Sequence, residues 1–230
     1  MVAHSLRARV RAGMIDEIKA VARRHLATDG ANLSLRAVAR DMGMVSSAIY
    51  RYFPSRDDLL TALILEAYEA LGDAVEAADA AADQADLRGR WHAACRAARA
   101  WALANPAEYA LLYGSPVPGY AAPEDTVAPA QRPPATLVGI LRDGVAAGRI
   151  DPSGEELAEP LRSDVAELAA LLPVDLPPAL LARGMAGWTQ LFGLISFELF
   201  GRINKTLPHR DEYFDHQIGL MADLIGLPTA

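Results

Sequence analysis

SLRAVARDMGMVSSAIYRYFPSRDD, residues 34–58, decides the fold. Ser34 offers a side-chain acceptor at the start of a short helix whose inward positions are Leu35, Val38, Ala39 and Met42. Gly43 can take the left-handed φ that ends this helix and re-aims the chain. A second helix follows Val45 and buries Ile49 with Tyr52 or Phe53. Its other face is Ser46, Ser47, Ala48, Tyr50 and Arg51. Pro54 stops it, and Ser55 with Asp58 three residues on opens a third helix through a capping-box pattern.

Two short helices set at an angle by a glycine turn form a helix-turn-helix, whose second helix enters the DNA major groove. A corner in an ordinary helical bundle has the same spacing, and charge separates the two readings. Up to Arg56 the chain holds ten Lys and Arg against four acids, a net of +6. The whole chain carries −7, so the remainder carries −13. A basic head on an acidic body concentrates the phosphate-seeking field at one end. Short serines and an alanine let a helix sit against base edges, while Tyr50, Arg51 and Arg56 are long donors that reach phosphates.

These residues resemble the DNA-binding domain of the TetR (tetracycline-repressor-like) family of bacterial transcriptional regulators. The resemblance lies in Leu35-Arg36-Ala37-Val38-Ala39, Met42-Gly43-Met44, Ile49-Tyr50-Arg51-Tyr52-Phe53 and Ser55-Arg56-Asp57-Asp58-Leu59-Leu60, within roughly the first quarter of the chain. It implies an all-α protein with a three-helix DNA-binding domain, placed here at 1–56, and a helical effector-binding and dimerisation domain at 57–230. It further implies a ligand-responsive regulator, foremost a repressor, that binds a palindromic operator as a homodimer. The expected DNA-binding residues are Ser34, Arg36, Ser46, Ser47, Ala48, Tyr50, Arg51, Tyr52 and Arg56. The family commonly has a capping Ser or Thr where this chain has Val45, which makes Ser46 the alternative cap. A rival reading is a helical ligand-binding and dimerisation module that no longer binds DNA; the basic head argues against it.

The chain has 230 residues, 52% of them hydrophobic, enough for a sizeable core in one or two domains. It holds no charge-free apolar run of about eighteen residues, so no membrane span is expected. Arg7, Arg9 and Arg11 are not followed by an apolar signal-peptide region, and a single cysteine, Cys95, suits a reducing cytosol. A cytoplasmic protein is expected. No nucleophile–base motif, phosphate-cradling glycine loop or C-x-x-C is present, which excludes the common enzyme classes and cofactors. Glu212 and His216 lie one turn apart, but two such ligands do not make a metal site, and His209 falls just before their helix.

Along the chain, residues 1–8 read as a disordered arm. A first helix is expected over about Arg9–Thr28, striped with Val10, Met14, Ile18, Val21 and His25 and stopped by Gly30. From Ser55 a long helix carries Leu60, Leu63, Ala67, Leu71 and Val75, with residues 76–86 as its frayed end or a loop. Helices follow at Leu87–Ala104 and from Pro106 to Tyr113. Residues 114–134, with six prolines, read as a connector without regular helix. Further helices are expected at Ala135–Ala147, at Gly154–Leu172 with an acidic first turn of Glu155, Glu156 and Glu159 and a kink or break at Pro160, at Leu180–Ile203, and at Asp211–Ile225. The last two are the resembled family's candidates for a dimer interface, through Leu191, Leu194, Leu199, Phe214, Ile218, Met221 and Leu224. Trp101, Tyr109, Tyr113, Trp188 and Phe192 are candidates for an effector pocket that takes an apolar or aromatic molecule, although core packing explains each of them as well.

Overall fold

The computed structural model describes residues 2–29, 33–154, 156–172 and 175–229. Among the described residues the chain is all-α, without a strand. Its helices are α1 (Val2–Asp29), α2 (Leu35–Asp41), α3 (Ser46–Ile49), α4 (Arg56–Ala81), α5 (Leu87–Ala104), α6 (Pro106–Tyr113), α7 (Val127–Ala146), α8 (Glu159–Leu171), α9 (Pro178–Leu199) and α10 (Arg210–Ile225). They fall into two compact units. The first holds residues up to Tyr68 together with Asn105–Val127, and the second holds Glu69–Ala104 and Ala128 onward.

The first unit is built on α1. Ile18, Val21, Ala22 and Leu26 of that helix bury against Leu35, Val38 and Ala39 of α2, Ile49 of α3, and Leu59, Leu60 and Leu63 of α4. This burial is why the unit extends past the helix-turn-helix to Tyr68. Helix α6 adds Ala107 and Leu111 against the same core. Glu66 receives both Lys19 and Arg23, and Arg23 also reaches Glu108 at 3.6 Å. Helix α1 starts well before the expected Arg9, since residues 2–8 are helical. The segment holds no proline, and its Leu, Arg and Ala are good helix formers that propagate from an established helix. Val10, expected on the buried stripe, is exposed because the core covers α1 only from Met14 onward. The expected stop at Gly30 lies outside the described residues.

The second unit packs α5, α9 and α10 together, with Trp91, Ala94, Cys95 and Ala98 of α5 buried beside Leu191 and Ile195 of α9 and Phe214, Ile218 and Met221 of α10. Trp91 donates its indole N–H to the Ile218 carbonyl at 3.0 Å. Gly187 lets α9 approach that indole, for a β-carbon there would sit 3.2 Å from the ring edge. Arg99 grips Glu198 with two bonds of 2.7 and 2.8 Å and Asp211 with a third, tying α5 to the end of α9 and the start of α10.

Two expectations about proline fail here. Helix α7 begins at Val127, inside the segment read as a connector, and runs through Pro133 and Pro134. Pro129 lies in the first turn, where a missing N–H costs nothing, and the two later prolines forfeit only two ladder bonds while Pro133 is buried. Pro160 opens α8 instead of breaking it, so the helix starts at Glu159 and not at Gly154. Glu156 therefore precedes the helix, and Glu155 lies outside the described residues. Helix α4 continues to Ala81, so the loop is confined to 82–86.

Candidate nucleic-acid interface

The local chemistry of residues 34–58 sets the geometry. Ser34 is the N-cap of α2 and accepts from the Ala37 N–H at a long 3.5 Å, with its backbone extended. Gly43 adopts φ +66°, the left-handed turn that redirects the chain into α3. The Met44 N–H closes the turn on the Ala39 carbonyl at 2.8 Å. At the far end, Ser55 Oγ accepts from the Asp58 N–H at 3.1 Å, the first half of a capping box, and donates to the Asp58 carboxylate at 2.6 Å.

Helix α3 is a single turn, shorter than expected, and Tyr50, Arg51 and Tyr52 form the turn that leaves it. Its one buried residue is Ile49; Phe53 supplies the second inward anchor while Tyr52 is half-buried. Val45 occupies the N-cap with φ −63° and ψ 133° and gives no side-chain bond, so the helix starts at Ser46 and Ser46 does not take over the cap.

The expected DNA-facing residues divide into two groups. Ser34, Arg36, Ser46, Ser47, Tyr50 and Arg51 are exposed, with Ala48 half-buried between them. Arg36 and Arg51 form no ion pair among the described residues, and neither does Arg40, an exposed base on α2 that sequence reasoning passed over. Tyr52 and Arg56 are turned toward the protein instead. Arg56 Nε donates to the Leu33 carbonyl at 3.1 Å and its guanidinium reaches Asp57 at 3.7 Å, so it braces the approach to α2. Tyr52 lies under the Arg11 guanidinium, 5.3 Å from the ring centre. His25 contacts Asp41 across 2.7 Å, which links the end of α1 to the end of α2.

The other expected site residues are placed as follows. In the first unit, Tyr109 is buried and its ring lies 5.2 Å from that of Tyr113, which also meets Tyr68 edge-on at 6.2 Å. In the second unit, the rings of Trp188 and Phe192 lie 4.1 Å apart with their planes tilted by 41°, and they line an apolar crevice with Val75, Ala94, Ala98, Pro133, Leu137 and Leu191. The lining side chains close on one another and leave no room for a water molecule. Trp101 is half-buried on α5. Of the residues expected at a dimer contact, Leu224 is exposed and Leu194 and Leu199 are half-buried. Leu191, Phe214, Ile218 and Met221 are consumed by the unit's own core. The exposed apolar residues on the same two helices, which the sequence reading did not single out, are Phe197 and Leu220, with Phe200 just past the end of α9. Among the described residues, no group of three or more His, Cys, Asp and Glu side chains could hold a metal, and no helix is long and apolar enough to cross a membrane.

Comparisons with known proteins bear on what this geometry serves. Residues 18–63 match the profile described as Bacterial regulatory proteins, tetR family, and residues 91–221 match that described as Tetracyclin repressor-like, C-terminal domain. The chain is 41% identical over 218 residues to the HTH-type transcriptional regulators Rv1816 of Mycobacterium tuberculosis and Mb1846 of Mycobacterium bovis, with 91% of each chain covered. Among solved structures it is similar to a regulatory protein, SCO4313, at a TM-score of 0.78 and 32% identity, over 94% of this chain and 98% of that one. It shares its fold with a TetR family transcription regulator from Marinobacter aquaeolei VT8, at a TM-score of 0.60 and 16% identity, over 96% and 97% of the two chains.

Proposed function

We propose that this chain, which belongs to the TetR family of transcriptional regulators, is a cytoplasmic repressor that binds a palindromic operator as a homodimer and is released by a small apolar effector. The observation that carries the DNA-binding part is the exposed face of α3 and its surroundings. Ser46, Ser47 and Ala48 present short side chains to base edges, with Arg36 beside them as a base or phosphate donor and Ser34, Tyr50 and Arg51 directed at phosphates. Tyr52 and Arg56 support that face from behind through the contacts described above. One four-residue helix spans too few base pairs to define an operator, so two copies related by a two-fold axis supply the specificity.

The two-fold contact is proposed at Phe197, Phe200, Leu220 and Leu224, with the half-buried Leu194 and Leu199 at its margin. Leu220 and Leu224 lie one turn apart on α10, and apolar side chains exposed in such a group favour a partner surface. The effector is proposed to enter beside Trp188 and Phe192. An apolar lining favours an uncharged, aromatic or aliphatic molecule. The crevice as it stands has no room for a ligand, whereas ordinary ligand pockets hold about 300–1,000 Å³, so any effector must part the lining side chains. That parting is how binding would favour one geometry of the body over another.

Selection of bound sequences from random duplexes tests the reading. A palindromic consensus, bound by a dimer and released by apolar compounds that also quench tryptophan emission, is the expected result. Enrichment of no sequence would leave the ligand-binding module without DNA affinity as the better account. Release only by charged, hydrophilic compounds would reject the apolar pocket. Leu224→Glu is expected to give monomers of unchanged helical content with weakened operator binding, and a Leu224→Glu dimer would move the contact elsewhere.

A further inference from the structure

The opening turns of α1 stand outside the core of the DNA-binding unit. Residues 6–13 are all exposed, and burial begins only with Met14 and Ile15. Two uncovered turns are not stable alone in water, so this stretch depends on continuity with the buried part of α1 and on one further tie. The tie is Arg11. Its Nη1 donates to the Arg51 carbonyl at 3.1 Å, and the guanidinium lies 5.3 Å from the centre of the Tyr52 ring. Both partners directly follow α3, so the exposed turns are fixed beside the segment that leaves the recognition helix.

The charge on those turns has one sign. Residues 6–15 contain Arg7, Arg9 and Arg11 and no acid, and Arg7 and Arg9 form no ion pair among the described residues. Helical geometry separates the two. Arg7 lies one turn before Arg11 on nearly the same face, about 6 Å further along the axis, whereas Arg9 points about 160° away from Arg11. Only Arg7 continues the basic row that begins beside α3.

We propose that residues 6–11 form a second DNA-contacting element, in which Arg7 binds a backbone phosphate flanking the base pairs faced by α3 and Arg11 is the positioning residue that holds the turn there. The inference rests on the DNA-binding reading above. Two features select duplex DNA as the occupant. The row starts at Arg11, which is tied to the segment that leaves α3, and a duplex carries one negative charge for about every 1.7 Å of its axis, so phosphates flank any site that α3 occupies. A second copy of the chain is the rival occupant, through Leu6 and Val10, which are 57% and 63% exposed. Two side chains fall far short of the roughly 800 Å² per partner that a stable protein contact buries.

The test uses the full chain and the duplex it selects, with affinity measured between 50 and 200 mM salt. Arg7→Ala should lower the salt slope by about 0.9 for each bound head, close to two units for a two-headed complex. Its affinity deficit should then shrink about tenfold across that salt range. Arg9→Ala should leave the slope at the wild-type value, and Arg7→Lys should restore it. Trimming the duplex flanks should reduce wild type to the level of Arg7→Ala and leave that variant unaffected. Folding is not at issue, since alanine is the better helix former at an exposed position. If wild type binds its selected duplex and Arg7→Ala keeps both slope and flank dependence, the second element is refuted while the DNA-binding reading stands. Equal losses in Arg7→Ala and Arg9→Ala would also refute it, since a diffuse charge effect ignores helix face. A Leu6→Glu variant that changes oligomeric state without DNA would make the turns a self-contact and overturn the proposal. If wild type selects no sequence, both readings fall.

Discussion

Replacing Val45 by threonine should stabilise the DNA-binding unit, although it removes a residue from the middle of the most informative stretch of the chain. Val45 is the N-cap of α3 with extended backbone, φ −63° and ψ 133°, the conformation in which a Ser or Thr oxygen reaches the second or third helical N–H. Its side chain is 75% exposed, so the substitution sacrifices no burial. The Ala48 N–H already bonds the Val45 carbonyl at 2.8 Å, which leaves the Ser47 N–H as the group that gains most. Side-chain caps are worth about 0.5–2 kcal/mol, and with one N–H already satisfied the gain belongs at the low end, about 0.5–1 kcal/mol. Equilibrium urea denaturation of the full chain should show a midpoint raised by a few tenths of molar with an unchanged slope. Val45→Ala separates capping from removal of the valine and should leave the midpoint nearly where it is. Val45→Asp should stabilise as threonine does yet weaken operator binding, because it sets a carboxylate on the face proposed to meet phosphates. A midpoint that falls with threonine, or that rises equally with alanine, would refute the capping argument.

Arg90 is 5% exposed and holds Asp79 at 2.8 and 3.1 Å and Asp143 at 3.0 Å. Arg90→Met should cost about 3 kcal/mol in denaturation experiments, the low end for a broken buried pair because Asp143 can rehydrate, and Asp79→Leu added to it should recover part of the loss. Gly43→Ala should cost about 1 kcal/mol and lower operator affinity, since a β-carbon there meets nothing within 4 Å and only the +66° φ is penalised; a much larger loss in a melting experiment would contradict that accounting. Burial pushes the Cys95 thiol far above its ordinary value, so thiol reagents at pH 8 should modify the native chain only as fast as it opens, and urea should release one reactive thiol. The hydrogen bond from Arg96 holds the Asp215 carboxyl below the ordinary carboxylate value. Its stabilising contribution is therefore complete above about pH 4 and fades as pH falls through that lower value, and Asp215→Asn should flatten the acid limb of the stability curve.

The parts of the fold that could be read from residues alone are those set by neighbours within about four positions. Gly43, the box of Ser55 and Asp58, and Pro106 at the start of α6 each determine their own few φ and ψ angles, and the structure places each turn or helix start where they stand. Prolines misled where an apolar environment outweighed them. Two missing ladder bonds at Pro133 and Pro134 cost less than the burial gained along α7, a balance that no local pattern records. The start of α1 escaped for the opposite reason: the sequence of residues 2–8 permits a helix, residues 6–8 are exposed, and composition alone does not separate an arm from a helical extension. In the site, sequence identified which residues are basic or short but not which way they turn. Arg36 and Arg56 both stood among the expected DNA contacts, and the bond to the Leu33 carbonyl shows that Arg56 is engaged with the protein's own backbone.

Helix α10 shows how one apolar helix serves two surfaces. Phe214, Ile218, Met221 and Ile225 recur at intervals of four, three and four, a single stripe that is wholly buried. Leu224 was grouped with them in the sequence reading, yet at 100° per residue it lies about 120° from Ile218 and shares its side with Leu220, four positions earlier. The two leucines form a second, exposed stripe, and the division could have been drawn from angles before any coordinates were known. A charge on the buried stripe destroys the core on which α5 and α9 pack, so the loss of dimers in a Met221 variant would say nothing about the interface. A charge on Leu220 or Leu224 leaves that core intact, and its effect on assembly can therefore be assigned to the surface itself.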